Sequence, residues 1–351
     1  MYIIIAIIIF GILIAIHELG HFMAAKLCGV RVEEFSIGMG PALFKKQRGE
    51  TLYALRILPI GGFCAMAGED EESDDPRAFT NQGFWKKLVI LCAGSFMNLV
   101  LGIVLILIMY AGAQAFVTTT IDHFVDGCPY EGTDAMQAGD TFYSIDGQHI
   151  YLVSDVSSML ARGNGVYDIV MLRDGEKVEL KDFALTTRVY EDYADGEPRY
   201  GFILATTEAT FGAKLEYTWN TSVVFARWVW VGLKDLVNGS VGLEDMSGPV
   251  GIVDMMNEVG QQAESAKAAA DNLLYISAFI AINLAIMNML PIPALDGGRV
   301  FLMIVTVIIE GVSRKKLDPK YEGYIHLGGM VLLLGLMALV MYNDIAKLIT
   351  G

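Results

Sequence analysis

The sequence has few cysteines, and none of them forms a Cys-x-x-Cys pair. Its 351 residues include four, which are Cys28, Cys64, Cys92 and Cys128. Three of the four fall in or near long apolar segments, and one falls in the middle of the chain. No disulfide framework is therefore predicted, and the cysteines leave the redox compartment open.

Basic residues are also scarce relative to acidic ones. Lysine and arginine number 25 against 40 aspartates and glutamates, so the formal net charge is -15. Nucleic-acid binding needs a basic surface that neutralises phosphates. The charge balance therefore argues against a nucleic-acid partner.

Charge is absent from the first 16 residues, and the apolar residues are concentrated towards both ends of the chain. A chain with 54% apolar residues, 19% charged residues and a mean hydropathy of +0.47 fits a membrane protein. Four runs approach or exceed the ~20 residues that cross a bilayer. They are Tyr2–Ala25, Leu88–Phe116, Leu273–Leu290 and Ile325–Tyr342. The first is expected to be a retained helix rather than a cleaved signal peptide.

A shorter apolar run, Phe301–Ile309, has nine residues and follows the third predicted span. It is too short to cross a bilayer alone. We therefore expect it to continue the third helix or to form a re-entrant element.

Lysine and arginine residues cluster in two of the connections between spans. They lie between spans one and two and between spans three and four, at Lys26, Arg31, Lys45, Lys46, Arg48, Arg56, Arg77, Lys86, Lys87, Arg299, Arg314, Lys315, Lys316 and Lys320. Positive residues favour the cytoplasmic side. The pattern predicts a multi-pass protein of the inner (cytoplasmic) membrane whose middle domain and termini face outward.

The first cytoplasmic connection contains two strand-like segments, Arg31–Gly38 and Thr51–Leu58, with Gly49 between them. They predict a membrane-associated β-hairpin that either presents an edge to an extended substrate or is only a surface hairpin. Residues 69–75 follow with six acids in seven positions. A solvated loop is the favoured interpretation of that run.

The middle domain, residues 117–207, has alternating strand-like segments and turns. The stretch 131–147, with Gly139-Asp140 and Asp146-Gly147, resembles a PDZ domain, in which a peptide adds a strand to a groove. A plain β-rich spacer is the alternative. Residues 208–270 then carry three tryptophans together with charged residues, which favours an interfacial amphipathic helix over a fifth span.

His17, Glu18 and His21 lie within the first predicted span. On a helix His17 and His21 project from one face, and two such imidazoles can bind one zinc ion. Glu18 lies beside them and can act as a general base. A charged residue inside a span is costly unless it has a function. The motif therefore predicts a zinc hydrolase whose active site lies in or near the bilayer.

A third ligand is needed, because catalytic zinc sites usually have three from the protein. The remaining histidines, His123, His149 and His326, are poor candidates that suit a polar surface or interface. Asp296 follows two prolines at the cytoplasmic end of span three, at a depth similar to that of the two histidines. An ordinary helix end with an Asp-Gly turn explains this position equally well.

Five segments together resemble the site-2 protease family of intramembrane zinc metalloproteases, in its bacterial, PDZ-containing branch. They are His-Glu-Leu-Gly-His-Phe at 17–22, Phe-Ser-Ile-Gly-Met-Gly-Pro at 35–41, Ala-Gly-Ser-Phe-Met-Asn at 93–98, Gly-Pro-Val-Gly-Ile at 248–252 and Asn-Met-Leu-Pro-Ile-Pro-Ala-Leu-Asp-Gly-Gly-Arg at 288–299. The resemblance implies Zn²⁺ held by His17, His21 and Asp296, with Glu18 as general base. It also implies that Asn98 lies near the site and that Asn288 contacts substrate backbone.

The resemblance implies a mainly α-helical membrane protein with about four transmembrane helices, a β-hairpin and one inserted PDZ-like α+β domain. The expected divisions are residues 1–116, 117–207, 208–270 and 271–351. The expected activity is cleavage within the bilayer of single-span membrane proteins, such as anti-sigma factors or remnant signal peptides, in some cases after a site-1 protease. The alternatives are a non-proteolytic metal-binding or PDZ scaffold protein, a membrane zinc hydrolase that acts on other substrates, and a metal transporter.

Overall fold

A computed structural model describes residues 2–69, 73–190, 196–242, 246–314 and 320–350. Within these ranges the chain forms eight helices and eight strands. The helices are α1 (Tyr2–Leu27), α2 (Phe84–Ala111), α3 (Val153–Arg162), α4 (Phe211–Val237), α5 (Pro249–Gln262), α6 (Ala266–Asn288), α7 (Asp296–Ser313) and α8 (Lys320–Thr350). The strands are β1 (Val32–Arg48), β2 (Thr51–Met66), β3 (Ala115–Phe124), β4 (Thr141–Ile145), β5 (Gln148–His149), β6 (Val166–Arg173), β7 (Glu176–Ala184) and β8 (Phe202–Glu208).

These elements form two compact units. Residues 1–106 and 225–351 form the first, and residues 107–224 form the second. The first unit contains the hairpin of β1 and β2 and most of the long helices, and the second contains the larger sheet. Mainly helical architecture with antiparallel sheets is as predicted.

In the described segments, four helices are long and apolar enough to cross a membrane, which is the number of spans that the sequence predicts. They comprise α1, α2, α6 and residues Gly323–Lys347 of α8. The second is shorter at its carboxyl end than predicted, because α2 ends at Ala111 and Phe116 already belongs to β3. Phe116 pairs there with Thr207, so sheet hydrogen bonding replaces the predicted last turns of the helix.

The apolar run Phe301–Ile309 lies within a separate helix, α7. The first predicted alternative, a continuation of the third helix, is wrong, and the re-entrant element stays a prediction. The chain leaves α6 after Asn288 and restarts at Asp296, and Pro291 and Pro293 lie between. Proline removes a backbone donor and disfavours helix at the preceding residue, which explains the interruption.

The hairpin is longer than its predicted strands, because both strands continue through their glycines. Gly38, Gly40 and Gly61 adopt φ values of +85°, +83° and +89°, and the register of β1 against β2 shifts along this part. Glycine tolerates such angles, so these residues bend the strands without ending them. The hairpin thereby reaches from the turn at Gly49 back to Met66, beside α1.

The second unit contains a sheet of antiparallel strand pairs with the order β7-β6-β4-β3-β8, and β5 pairs with β4 at one point. Apolar side chains alternate on these strands and form a core with α3, including Ile121, Phe142, Leu160 and Met171. Arg173 joins two parts of the unit through an ion pair of 2.8 Å with buried Asp140.

Candidate metal centre

His17, His21 and Asp296 bring together, in the first unit, three atoms that could bind a metal ion. Nε2 of His17 lies 3.2 Å from Nε2 of His21. Oδ2 of Asp296 lies 3.2 Å from the first of these atoms and 3.3 Å from the second. In the described part of the chain this is the one cluster of three or more such side chains with metal-binding spacing.

The spacing of the three atoms fits a zinc ion. Tetrahedral ligands at zinc bond lengths of about 2.0 Å lie about 3.3 Å from one another. Oδ2 of Asp296 is buried, and no hydrogen-bond partner for it occurs among the described residues. A buried carboxylate oxygen without a donor is costly, and a bound cation removes that cost. Two imidazoles and one carboxylate are also a donor set that zinc uses in hydrolases.

Each imidazole has a contact on its far side. Nδ1 of His21 lies 2.9 Å from the carbonyl oxygen of Ile90 on α2. An Nδ1–H that donates to this oxygen leaves Nε2 free to bind a metal. The backbone of α2 therefore fixes both the orientation and the tautomer of His21.

His17 has a side chain in the corresponding position. Its Nδ1 lies 3.4 Å from the amide nitrogen of Asn98, while the amide oxygen of Asn98 is buried and has no hydrogen-bond partner in the described segments. Rotating the amide by 180° exchanges its two atoms and presents the oxygen to Nδ1–H. The rotated amide oxygen accepts from Nδ1–H, which fixes the tautomer of His17. Asn98 therefore lies behind the candidate ligand His17.

Glycines allow α2 to approach the two imidazoles closely. A Cβ on Gly94 would overlap Nε2 of His21 and lie 2.7 Å from Cε1 of His17, and a Cβ on Gly20 would overlap the carbonyl group of Ala93. No side chain other than hydrogen fits at either position. The Ala-Gly sequence at 93–94 is therefore a packing requirement of the site.

Asp296 is the first residue of α7. The amino end of a helix carries partial positive charge, which stabilises a carboxylate there. Cβ atoms on Gly297 and Gly298 would overlap the backbone of the preceding loop, at Met289 and Ile292 respectively. The Asp-Gly-Gly sequence therefore lets α7 begin in contact with the loop that follows α6.

Helix α8, which contains the last predicted span, contacts the same loop. Ala294 adopts a φ of +79°, and its N–H donates to Nδ1 of His326 on α8 at 3.3 Å. This contact agrees with the predicted interface role of His326. His123 and His149 are exposed in the second unit, where His123 pairs with Asp122 at 2.8 Å.

The three ligand atoms and Glu18 line one cavity of about 420 Å³. Its other described walls are the end of the hairpin, Phe63–Met66 and Glu69, together with Leu91, Ala294 and Arg299. A Cβ on Gly62 would lie 3.3 Å from Cγ of Glu18, so the hairpin passes directly beside that carboxylate. The predicted proximity of the hairpin to the candidate general base is thus present.

Cys64 is the one thiol among the described wall residues. Burial raises its pKa to about 12, and the negative charges of Glu18 and Glu69 add to the effect. The group therefore remains a neutral thiol at neutral pH. Thiolates are the metal-binding form of cysteine, so Cys64 is a poor competitor for the ion.

Glu69 differs from the prediction of a solvated loop over residues 69–75. It faces the cavity and forms an ion pair with Arg299 of α7. Asp75 pairs with Arg31 at 3.4 Å, and residues 70–72 lie outside the described segments. The acidic run does not indicate that Glu69 turns inward, because its partner Arg299 lies 230 positions away in the sequence.

Asn288 is the last residue of α6 and is half-buried. It is absent from the described residues that line the cavity, unlike Glu18 and the three candidate ligands. Its predicted contact with substrate backbone therefore stays a prediction.

Comparison with known proteins shows the family. Residues 5–336 match peptidase family M50. The protein named "Putative zinc metalloprotease CPE1693" of Clostridium perfringens is 38% identical over 350 residues, which cover 98% of this chain and 98% of that protein. The "Regulator of sigma-W protease RasP" of Bacillus subtilis is 28% identical over 427 aligned residues, which cover 97% of each chain.

The chain belongs to peptidase family M50, the site-2 protease family. It is a membrane-embedded zinc metalloprotease, and Zn²⁺ is its cofactor. The predicted class, activity and cofactor are confirmed.

Proposed function

We propose that this protease cuts single-span membrane proteins within the bilayer, with zinc held by His17, His21 and Asp296 and with Glu18 as the general base. The observation that carries the proposal is the triangle of ligand atoms at 3.2 to 3.3 Å, which shares a cavity with Glu18 beside an apolar helix. The proposed substrates are membrane proteins with one span, the class that the sequence predicts.

When bound, zinc acts as a Lewis acid that polarises the scissile carbonyl and makes a water molecule acidic. Glu18 accepts the proton of the attacking water and passes it to the leaving amine. The carbonyl of Ile90 and the amide of Asn98 hold His21 and His17 in their neutral, metal-binding tautomers. The leaving peptide departs as a free amine once it has that proton.

A substrate helix hides its peptide bonds in internal hydrogen bonds, so the segment must unwind before it is cut. The end of β2 runs beside Glu18 and forms part of the cavity wall. We infer that an unwound segment pairs with this edge of the hairpin, which supplies the hydrogen bonds lost from the helix. Asn288 contributes a further contact to substrate backbone.

The remaining parts of the chain have supporting roles in this proposal. The sheet-rich segment, residues 117–207, acts as an extracytoplasmic PDZ-like domain that binds a substrate tail or excludes bulky ectodomains. Residues 208–270 form an interfacial linker, and residues 1–116 and 271–351 provide the membrane helices. Lysine and arginine in the two connections place the metal site towards the cytoplasm.

The test uses purified full-length protein in detergent and a tagged, truncated single-span substrate. Wild type should cut within the span, and 1,10-phenanthroline should abolish the cut. Glu18→Gln should abolish turnover and retain one zinc per chain, because it removes only the proton acceptor. Turnover by Glu18→Gln would overturn the general-base assignment.

Zinc content tests the ligand set separately. Asp296→Ala and His21→Ala should lose zinc on dialysis against a chelator, and His123→Ala should keep it. Full zinc in Asp296→Ala would overturn the proposed ligands. A wild type that holds zinc in this site and cuts no single-span substrate would favour the scaffold alternative.

A further inference from the structure

Glu69 connects the hairpin to the helix that begins with Asp296. It follows the end of β2 by three residues, and its Oε2 accepts a hydrogen bond of 3.3 Å from the N–H of Met66. Its Oε1 pairs with Nη1 of Arg299. Each carboxylate oxygen therefore has a different partner, one on the hairpin and one on α7.

Arg299 is three residues after Asp296 in α7, so the two side chains lie on neighbouring parts of one helix face. The residue before Asp296, Leu295, has an apolar side chain and cannot cap the helix. An ion pair at Arg299 therefore restrains the first turn of α7, which determines where the Asp296 carboxylate lies.

The pair is largely shielded from solvent. The side chain of Glu69 is 18% exposed and that of Arg299 is 31% exposed, and both line the cavity that contains Glu18. Partly buried pairs of this kind are less screened than surface pairs. Loss of Arg299 removes the ion pair of Glu69, and loss of Glu69 removes the contact that joins Arg299 to the hairpin.

Among the described residues that line the cavity, the charges would balance with zinc bound. Three carboxylates line it, those of Glu18, Glu69 and Asp296, and Arg299 is the one lysine or arginine among the described lining residues. One zinc ion and one guanidinium neutralise three carboxylates. Removing Arg299 would leave an excess negative charge beside the general base.

We propose that Glu69 and Arg299 are positioning residues that hold the Asp296 end of α7 in register with the substrate-facing end of the hairpin. They contact each other across the cavity wall and act on the metal through Asp296. This inference rests on the proposed function, because it takes Asp296 as a ligand. It makes zinc affinity depend on a carboxylate in the acidic run after the hairpin.

The test measures zinc affinity by competition with a chromophoric chelator in full-length protein. Glu69→Gln and Arg299→Gln should each weaken affinity by roughly 10- to 100-fold, the usual effect of losing a group that orients a ligand. The effect of the double variant should be smaller than the sum of the two single effects, because the Glu69–Arg299 contact is lost in all three variants. Arg299→Lys should recover most of the affinity, since one nitrogen makes the contact with Glu69.

Glu50→Gln is the matched control. Glu50 lies in the same hairpin and pairs with Lys26 and Arg77 at 2.9 Å, away from the cavity walls described. Its zinc affinity should equal that of wild type. If the substitutions only destabilised the protein, the thermal midpoint would fall in the cavity variants and in Glu50→Gln alike.

Cobalt supplies a second readout that a purely structural role would not move. In Co²⁺-loaded protein, Glu69→Gln and Arg299→Gln should shift the visible absorption bands, which report ligand geometry, whereas Glu50→Gln should not. Wild-type zinc affinity and an unchanged cobalt spectrum in both cavity variants would overturn the proposal. If Arg299→Gln fails to fold, Glu69→Gln alone carries the test; if Glu69→Gln fails to fold, Glu69→Asp replaces it, with an intermediate affinity expected and wild-type affinity with an unchanged spectrum contradicting the pair's role.

Failure of the pair and failure of the ligand set give different results. If Asp296→Ala loses zinc and the cavity variants keep it, the ligands stand and the positioning role is wrong. If Asp296→Ala itself keeps zinc at wild-type affinity, the proposed metal site is wrong.

Discussion

At the residue scale, the two imidazoles are held in different ways. His21 contacts a backbone carbonyl, that of Ile90, which no substitution at that position removes. His17 contacts a side chain, that of Asn98, whose oxygen has no other partner among the described residues. The orientation of one ligand is therefore fixed by the helix fold itself, and that of the other is open to mutation.

This difference makes Asn98 a sensitive position. Asn98→Ala should weaken zinc binding by roughly 10- to 100-fold, because His17 loses the acceptor that fixes its tautomer. Asn98→Asp should retain most of the affinity, since it keeps an oxygen at that place. The measurement is competition with a chelator in detergent solution.

Asn288→Ala is the control for that series. We expect it to bind zinc as wild type does and to raise KM for the substrate, because Asn288 is proposed to contact substrate and lies outside the described cavity walls. Equal zinc affinity in Asn98→Ala and Asn288→Ala would show that the amide at 98 does not orient His17.

At the element scale, a buried carboxylate joins the last span to α5. Asp344 of α8 is 3% exposed, and it accepts hydrogen bonds of 3.2 Å and 2.8 Å from the N–H groups of Gly248 and Gly251. The first four N–H groups of a helix lack partners within the helix, so this aspartate caps α5 from another element. The cap also accounts for the two glycines of the Gly-Pro-Val-Gly sequence at 248–251, because a Cβ atom on either of them would crowd Asp344.

Asp344→Ala should therefore destabilise the helical unit by about 1–3 kcal/mol, because two buried donors lose their acceptor. The measurement is the thermal unfolding midpoint in detergent. Asp271→Ala is the control, since Asp271 pairs with a largely exposed lysine, Lys267, and such pairs contribute about 0–1 kcal/mol. Equal midpoints for the two variants would contradict the cap.

Elements whose causes are local were predictable. The charge-free first span and the four-residue spacing of His17 and His21 determine one helix and one face of it, and both follow from the chain itself. The separate helix α7 was missed because a nine-residue apolar run does not reveal that Asp296 begins a new helix. The predicted strands of the hairpin are shorter than the observed ones, because glycine usually marks a turn. Here Gly38 and Gly61 instead bend strands that remain paired.

Contacts between distant segments were beyond the sequence. Sequence spacing alone explains Asp296 equally well as a metal ligand or as an ordinary helix end, and the family resemblance favours the ligand. Its position near both histidines comes only from the structure. The Glu69–Arg299 pair joins residues that no periodicity relates. Tertiary packing decides such pairs, so a single sequence does not specify them.

At the scale of the whole molecule, the four apolar helices make this a multi-pass membrane protein. The proposed orientation places the hairpin on the cytoplasmic side and the sheet of residues 117–207 outside, because lysine and arginine concentrate in the connections between spans one and two and between spans three and four. The two exposed positions Gln47 and Lys181 report on the two sides.

A membrane-impermeant maleimide should label Lys181→Cys in intact bacterial spheroplasts. It should label Gln47→Cys only after the membrane is opened by detergent, because the hairpin faces the cytoplasm in this orientation. Wild type, with its four cysteines, measures the background. Labelling of Gln47→Cys and not Lys181→Cys in intact spheroplasts would reverse the assigned orientation.

The close approach of α1 and α2 limits how the enzyme can open. Gly20 meets the backbone at Ala93, and Gly94 meets the two imidazoles, with no volume left between the helices at these points. A sliding movement between α1 and α2 would drive backbone atoms into the rings, so we expect these two helices to travel as one rigid body. We therefore expect the hairpin or α7, rather than α1 or α2, to move when a substrate helix about 10 Å wide enters. The histidine pair would stay fixed during each catalytic cycle, and the aspartate would be the ligand that substrate entry can disturb.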